Sequence, residues 1–188
     1  MTRSAQGKIA ACVRRILPTR LARRFLRQQD GAVAIEFAFV SIPFLALIFA
    51  IMETALVFFA GQTLETAVQD SARLIMTGQA QTAGWSKDDF KTHVCEHIHG
   101  LFDCANGVYV DVKTYTDFAS VTNTPPVKDG QFDESKLDYS PGDVGTIEVV
   151  RLYYQWPVFT FVLGNLSNLN GNKRLLVATA VFRNEPYK

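Results

Sequence analysis

The sequence predicts an α+β protein: a long N-terminal transmembrane and amphipathic helix, then a small head with a short helix and a three-stranded antiparallel sheet. Three observations carry this. Residues 37–52 run without a charge, and apolar residues continue to Ala60. A period of three to four follows up to Gly78. Later, three β-branched and aromatic segments are separated by turn residues.

The head of the chain comes first. Residues 1–30 hold eight basic side chains and one acid, a net of +7. The remaining 158 residues hold 11 basic and 17 acidic side chains, a net of −6. An acidic body argues against nucleic-acid binding. At 188 residues, 48% apolar and 20% charged, the chain is neither disordered nor a polytopic membrane protein.

The apolar run Phe37–Met52 spans about 24 Å as helix, and residues 32–60 span about 43 Å. A hydrocarbon core is roughly 30 Å thick, so one crossing fits, with Glu36 near one face and Glu53 near the other. The positive-inside rule keeps the +7 head in the cytoplasm and exports the body. The apolar run is too long for a signal peptide, and no Ala-x-Ala site follows it before the polar residues. Pro43 lies inside it and removes one helical hydrogen bond. A packing adaptation and a tolerated kink in a membrane helix are both open readings of Pro43.

Beyond the membrane, Leu64, Val68, Ala72 and Ile75 form an apolar stripe, with Gln62, Glu65, Gln69 and Arg73 opposite. Ser86-Lys87-Asp88-Asp89 reads as a capping box opening a short helix. Phe90, Val94, Ile98 and Leu101 or Phe102 give its apolar face. Cys95 sits on this helix and Cys104 follows it. That spacing suits a disulfide, which implies an oxidising compartment and agrees with export. Cys12 stays apart, in the basic head.

The three histidines, His93, His97 and His99, crowd beside these cysteines. Residues two apart on a helix point about 200° apart, so they do not converge on one ion. Only His93 and His97 share a face, and no metal site or cofactor is expected. Strands are expected over 108–113, 146–156 and 175–183. Residues 123–143 are turn-rich, match no helix–loop–helix calcium spacing, and read as a solvated loop. Residues 157–163 (PVFTFVL) are apolar, and suit either core or an exposed tip against membrane or partner subunits. No phosphate-binding loop, dinucleotide fingerprint or nucleophile elbow is present, so no enzyme is expected.

The most informative junction precedes the apolar run: Asp30, Gly31, then Ala32-Val33-Ala34-Ile35-Glu36-Phe37. Glycine lets backbone enter a tight protease cleft. Glu36 lies four residues beyond Ala32, one helical turn on, and a carboxylate at bilayer depth points to function. These residues, the apolar run through Phe58, QTLETAVQDSARLIMTG and the ending ATAVFRNEP resemble the TadE-like minor pilins, or pseudopilins, of the tight-adherence (Flp) type IV pilus.

The resemblance implies cleavage between Gly31 and Ala32 by a prepilin peptidase. It implies that Glu36, with Phe37, acts in assembly by neutralising the new amine of a neighbouring subunit. It implies partners: that peptidase, other pilins and minor pilins, the inner-membrane assembly platform and the lipid bilayer. The expected layout is a basic cytoplasmic leader over 1–31, a transmembrane helix over 32–60, its amphipathic extension over 61–80 and an exported head over 81–188. The expected location is the bacterial inner membrane, single-pass, with the head outside the cytoplasm. An uncut chain would instead be a bitopic envelope protein whose head binds a partner or ligand, and the long leader ending in Asp30 favours that alternative.

Overall fold

A computed structural model describes residues 30–98, 100, 102–159 and 166–187. The basic leader with Cys12, His99, Leu101 and residues 160–163 of the apolar segment lie outside the described residues. The contacts divide the chain into a unit ending at Leu47 and a unit over Ile48–Lys188.

One 47-residue helix, α1 (Asp30–Met76), runs through Pro43. It is long and apolar enough to cross a membrane. In the first unit its large apolar side chains, from Val33 through Phe37, Phe39 and Phe44 to Leu47, are exposed. In water that surface would be costly, whereas in lipid it is matched. Hydroxyls in the apolar stretch bond back along the helix, Ser41 to Ala38 O and Thr54 to Ala50 O, so neither is left without an acceptor.

In the second unit the helix is two-faced. Ala50, Glu53, Val57, Ala60, Leu64, Ala67, Val68, Ser71, Ala72 and Ile75 are buried at spacings of three and four. Gln62, Gln69 and Arg73 are exposed on the other side, as the amphipathic pattern requires. The helix stops where Gly78 adopts φ +78° and donates its N–H to Ile75 O at 2.9 Å, the left-handed closure that glycine takes without a Cβ penalty. The carboxyl end secures this point. Glu185 N–H donates to Met76 O at 2.9 Å, and the Tyr187 ring leaves no room for a Cβ at Gly78.

A short turn of helix, α2 (Gln79–Thr82), leads to α3 (Lys87–Glu96). Ser86 and Asp89 cap α3 reciprocally, as the sequence predicts. These hydrogen bonds from Ser86 hold the Asp89 carboxyl below its ordinary pKa. After α4 (Cys104–Gly107) come β1 (Val108–Tyr115), the small hairpin β2 (Val127–Lys128) and β3 (Gln131–Phe132), then β4 (Ile147–Pro157) and β5 (Lys173–Arg183). The main sheet is antiparallel, in the order β1-β4-β5, with Val112 opposite Val150 and Val150 opposite Ala180. The three expected strands are all present: β1 and β5 are each two residues longer than the patterning suggested, and β4 is shifted by one residue at the same length.

One face of the sheet packs on α1 and α3. Val108, Val110, Val112, Val150, Leu152, Leu176 and Ala178 join Leu64, Val68, Ile75, Phe90 and Val94 in a single core. The other face adds to the reading of residues 123–143 as a solvated loop: most of the segment is exposed, but part of it packs on the sheet. Val127, Phe132 and Leu137 pack against Tyr109, Tyr153, Leu169 and Leu175. Beneath them Arg151 and Asp111 are paired opposite one another at 3.4 Å, and Asp138 N–H donates to Asp111 Oδ1 at 2.8 Å. The segment is therefore the cover of the second face. Its apolar residues stand singly, five apart, and no periodicity marks them.

Glu148 is fully buried in β4. Its Oε1 accepts from Gly142 N–H at 2.8 Å and from the hydroxyls of Thr114 and Thr146, each at 3.0 Å. Loss of water outweighs these bonds and raises its pKa above the ordinary glutamate value. The folded state thus binds this proton more tightly than the unfolded chain. The stabilisation from that proton is full below the unfolded value and is lost as pH rises through the raised one. In thermal unfolding of the full chain in detergent, Glu148→Gln should gain stability relative to the parent as pH rises from about 4 to about 8. A constant difference across that range would contradict this.

Candidate processing and assembly site

Gly31 is the second residue of α1 and is exposed. Its φ is not in the left-handed region, and a Cβ built there meets nothing within 4 Å among the described residues. Contrast Gly78, where both a positive φ and a close ring demand glycine. In a helix glycine costs up to about 1 kcal/mol relative to alanine. Among the described residues nothing returns that cost at Gly31.

Five residues on, Glu36 is exposed, flanked in sequence by exposed Val33, Ile35, Phe37, Phe39 and Val40. Among the described residues no cation or hydrogen-bond donor pairs with it. The helix puts the backbone of Ala32 one turn before Glu36. An amine at Ala32 N would thus lie one helical turn from this carboxylate. Chemically the arrangement is a single negative charge in an apolar sleeve, which a cation at the same depth would neutralise.

Residues 31–73 match the family model of TadE-like protein. The TadE-like segment opens on Gly31 itself, takes in Ala32, Glu36, Phe37 and Pro43, and ends at Arg73, in the last turn of α1. It supports a minor pilin associated with a tight-adherence pilus, and that family is structural rather than enzymatic. The match stops short of Gly78, where the helical part of the resemblance ends, and it does not take in the ATAVFRNEP ending. No curated protein and no solved structure matches the chain.

Outside the TadE-like segment the head carries the expected disulfide. Cys95 on α3 is bonded to Cys104 at the start of α4, with Cα atoms 5.7 Å apart. Lys91 Nζ adds a bond to Ala105 O at 2.7 Å across the same loop. Closing a loop of this length stabilises the chain by about 2.5–3 kcal/mol in the chain-entropy model. Cys95→Ser in the full chain should therefore lower the free energy of denaturant unfolding by about that amount. Equal stability of parent and variant in oxidising buffer would show that the bridge is not formed.

The histidines are engaged separately. His93 stacks on Trp85, with ring centroids 4.0 Å apart, and its Nδ1 lies 3.4 Å from Glu96. His97 Nδ1 lies 3.9 Å from Asp70. Among the described residues no three potential ligands gather around one point. Of the apolar segment at the end of β4, Phe159 is exposed. Its backbone N–H donates to Glu53, which is buried.

Two features of the head were not read from the sequence. Glu53 looks like a simple boundary residue flanking the apolar run, yet it is buried and bonded to a segment more than a hundred residues away. Asn184 is buried and donates to the carbonyls of Gly142 and Asp143 at 3.1 Å. Both depend on long-range closure, which leaves no local periodic signal.

Proposed function

We propose that this protein is a minor pilin, or pseudopilin, acting in biogenesis or priming of a tight-adherence (Flp) pilus, and that a prepilin peptidase cuts it between Gly31 and Ala32. The carrying observation is the pairing of an exposed helical glycine, with no close neighbour among the described residues, and an exposed carboxylate five residues on, at the start of the TadE-like segment. In this reading residues 1–31 are a cytoplasmic leader, 32–60 cross the inner membrane, 61–80 extend the helix and 81–188 form the extracytoplasmic head. The basic leader and the bridged head each support this orientation, by different physics.

The protein performs no covalent chemistry of its own; it is the substrate of the peptidase. Ala32 then carries a free amine, and Glu36 neutralises the amine of an adjoining subunit as the helices come together. Phe37 and its apolar neighbours supply the packing surface, and Pro43 shapes it. The partners are the peptidase, the other pilins and minor pilins, the assembly platform and the bilayer. Removing the gene from a piliated cell should abolish or sharply reduce surface pili, and restoring the intact gene should bring them back. Undiminished piliation after removal would favour the uncut bitopic protein whose head binds another partner.

A further inference from the structure

We propose that the head has a second membrane contact: the end of the sheet that carries Phe159 dips into the extracytoplasmic leaflet beside α1, and the end that carries Phe118 points away from the bilayer. The inference needs α1 to cross a bilayer, but it does not depend on the pilus role.

About twenty helical residues cross a hydrocarbon core of roughly 30 Å. Starting at Phe37, just beyond Glu36, the crossing therefore ends near Leu56. The head begins to cover α1 before that point. Ala50, Glu53 and Val57 are already buried, while Ile51, Met52, Leu56, Phe58 and Phe59 on the remaining surface of the same turns are about half exposed or more. Over these ten residues, about 15 Å of helix, one side is covered by protein and the other side requires an apolar medium. Whatever covers the buried side shares that depth.

Phe159 is one such group. Its N–H is bonded to Glu53, and its ring is 75% exposed. An exposed phenylalanine at the level of Glu53, three residues short of the end of the crossing, finds lipid there rather than water.

Charge gives an independent argument. The sequence from Gln155 to Arg174 contains two cations and no acid. Both cations lie at this end of the sheet, Lys173 opposite Pro157 and Arg174 opposite Trp156. A tryptophan beside lysine and arginine is the composition found at the level of lipid headgroups, and the cations suit anionic ones. The opposite end differs. Phe118 is also exposed, at 60%, but it follows Asp117 in sequence just beyond β1. Asp143 precedes β4 there and Glu185 follows β5, with the cation Arg183 opposite Ile147, so this end is acidic on balance. Ten residue steps of β4 separate the two ends by about 33 Å. The two phenylalanines thus form an internal comparison, with equal chemistry at opposite ends of one sheet.

The test uses the full chain with Cys12→Ser, carrying either Phe159→Cys or Phe118→Cys and labelled with an environment-sensitive fluorophore. Each is reconstituted in vesicles of phosphatidylcholine and phosphatidylglycerol, after mass analysis has verified the Cys95–Cys104 bridge. Quenching is read with aqueous iodide and with a lipid bearing a quencher on its acyl chain. The label at 159 should be strongly quenched by the lipid and several-fold less than the 118 label by iodide, with the opposite pattern at 118. Equal iodide quenching at both positions would overturn the inference. So would shielding of 159 from both quenchers, which would place a second protein copy there instead. A chain that fails to float with the vesicles would contradict the membrane anchor itself, an outcome distinct from either.

Discussion

Gly31→Leu should leave the protein at full precursor length. The fold at Gly31 has open space around a built Cβ and an ordinary helical backbone, so the leucine itself is tolerated. It should even favour the helix, by up to about 1 kcal/mol over glycine. The cost falls on the peptidase, whose cleft must take the backbone on either side of the scissile bond. A branched side chain that raises the barrier by about 2.7 kcal/mol slows cleavage roughly a hundredfold. Immunoblots of membranes should then show the precursor alone, still membrane-bound and still bridged between Cys95 and Cys104. A mature-sized product from this variant would refute the cut after Gly31.

Glu36→Val should act one step later. Valine continues the apolar sleeve formed by Val33, Ile35, Phe39 and Val40, so insertion and cleavage should be unaffected. What is lost is the partner for the amine at Ala32 N. A hydrogen-bonded charged pair contributes about 1.5–3 kcal/mol net, which is roughly ten- to a hundredfold in an association equilibrium. Piliation should fall accordingly, while the mature protein stays in the membrane. Glu36→Gln keeps the shape and one acceptor but not the charge, and it should give an intermediate defect. Parent-level piliation with Glu36→Val would remove amine pairing as the role of this carboxylate.

The parts of the fold that were legible in the sequence are those with a local signal. The helix announces itself through a charge-free run and a period that continues to Ile75; the cap through Ser86 and Asp89; the strands through alternating valines and β-branched runs. The bridge was legible because Cys95 and Cys104 are close in sequence and stand apart from Cys12. The cover of the sheet's second face was not legible. Val127, Phe132 and Leu137 are single apolar residues among turn formers, brought onto the sheet by the hairpin and by long-range hydrogen bonds such as Asp138 N–H to Asp111 Oδ1 and Ser140 N–H to Val112 O.

At the candidate site the balance differs. Gly31 and Glu36 were legible by type and spacing alone. The structure adds the absence of any steric reason for Gly31 among the described residues, which no sequence pattern carries. Glu53 went the other way. By sequence it is a boundary charge. Its burial against the backbone of Phe159 depends on a sheet whose strands are distant in the chain.

The central claim is that the chain is processed at one bond, and its amino terminus tests this most directly. The protein should be isolated from membranes of cells that carry the prepilin peptidase and of cells that lack it, and both termini sequenced. The account predicts a start at Ala32 when the peptidase is present and the uncut precursor when it is not. The same start in both, whether at the precursor's first residues or elsewhere, would contradict it and leave a membrane-anchored head whose partners would have to be found another way.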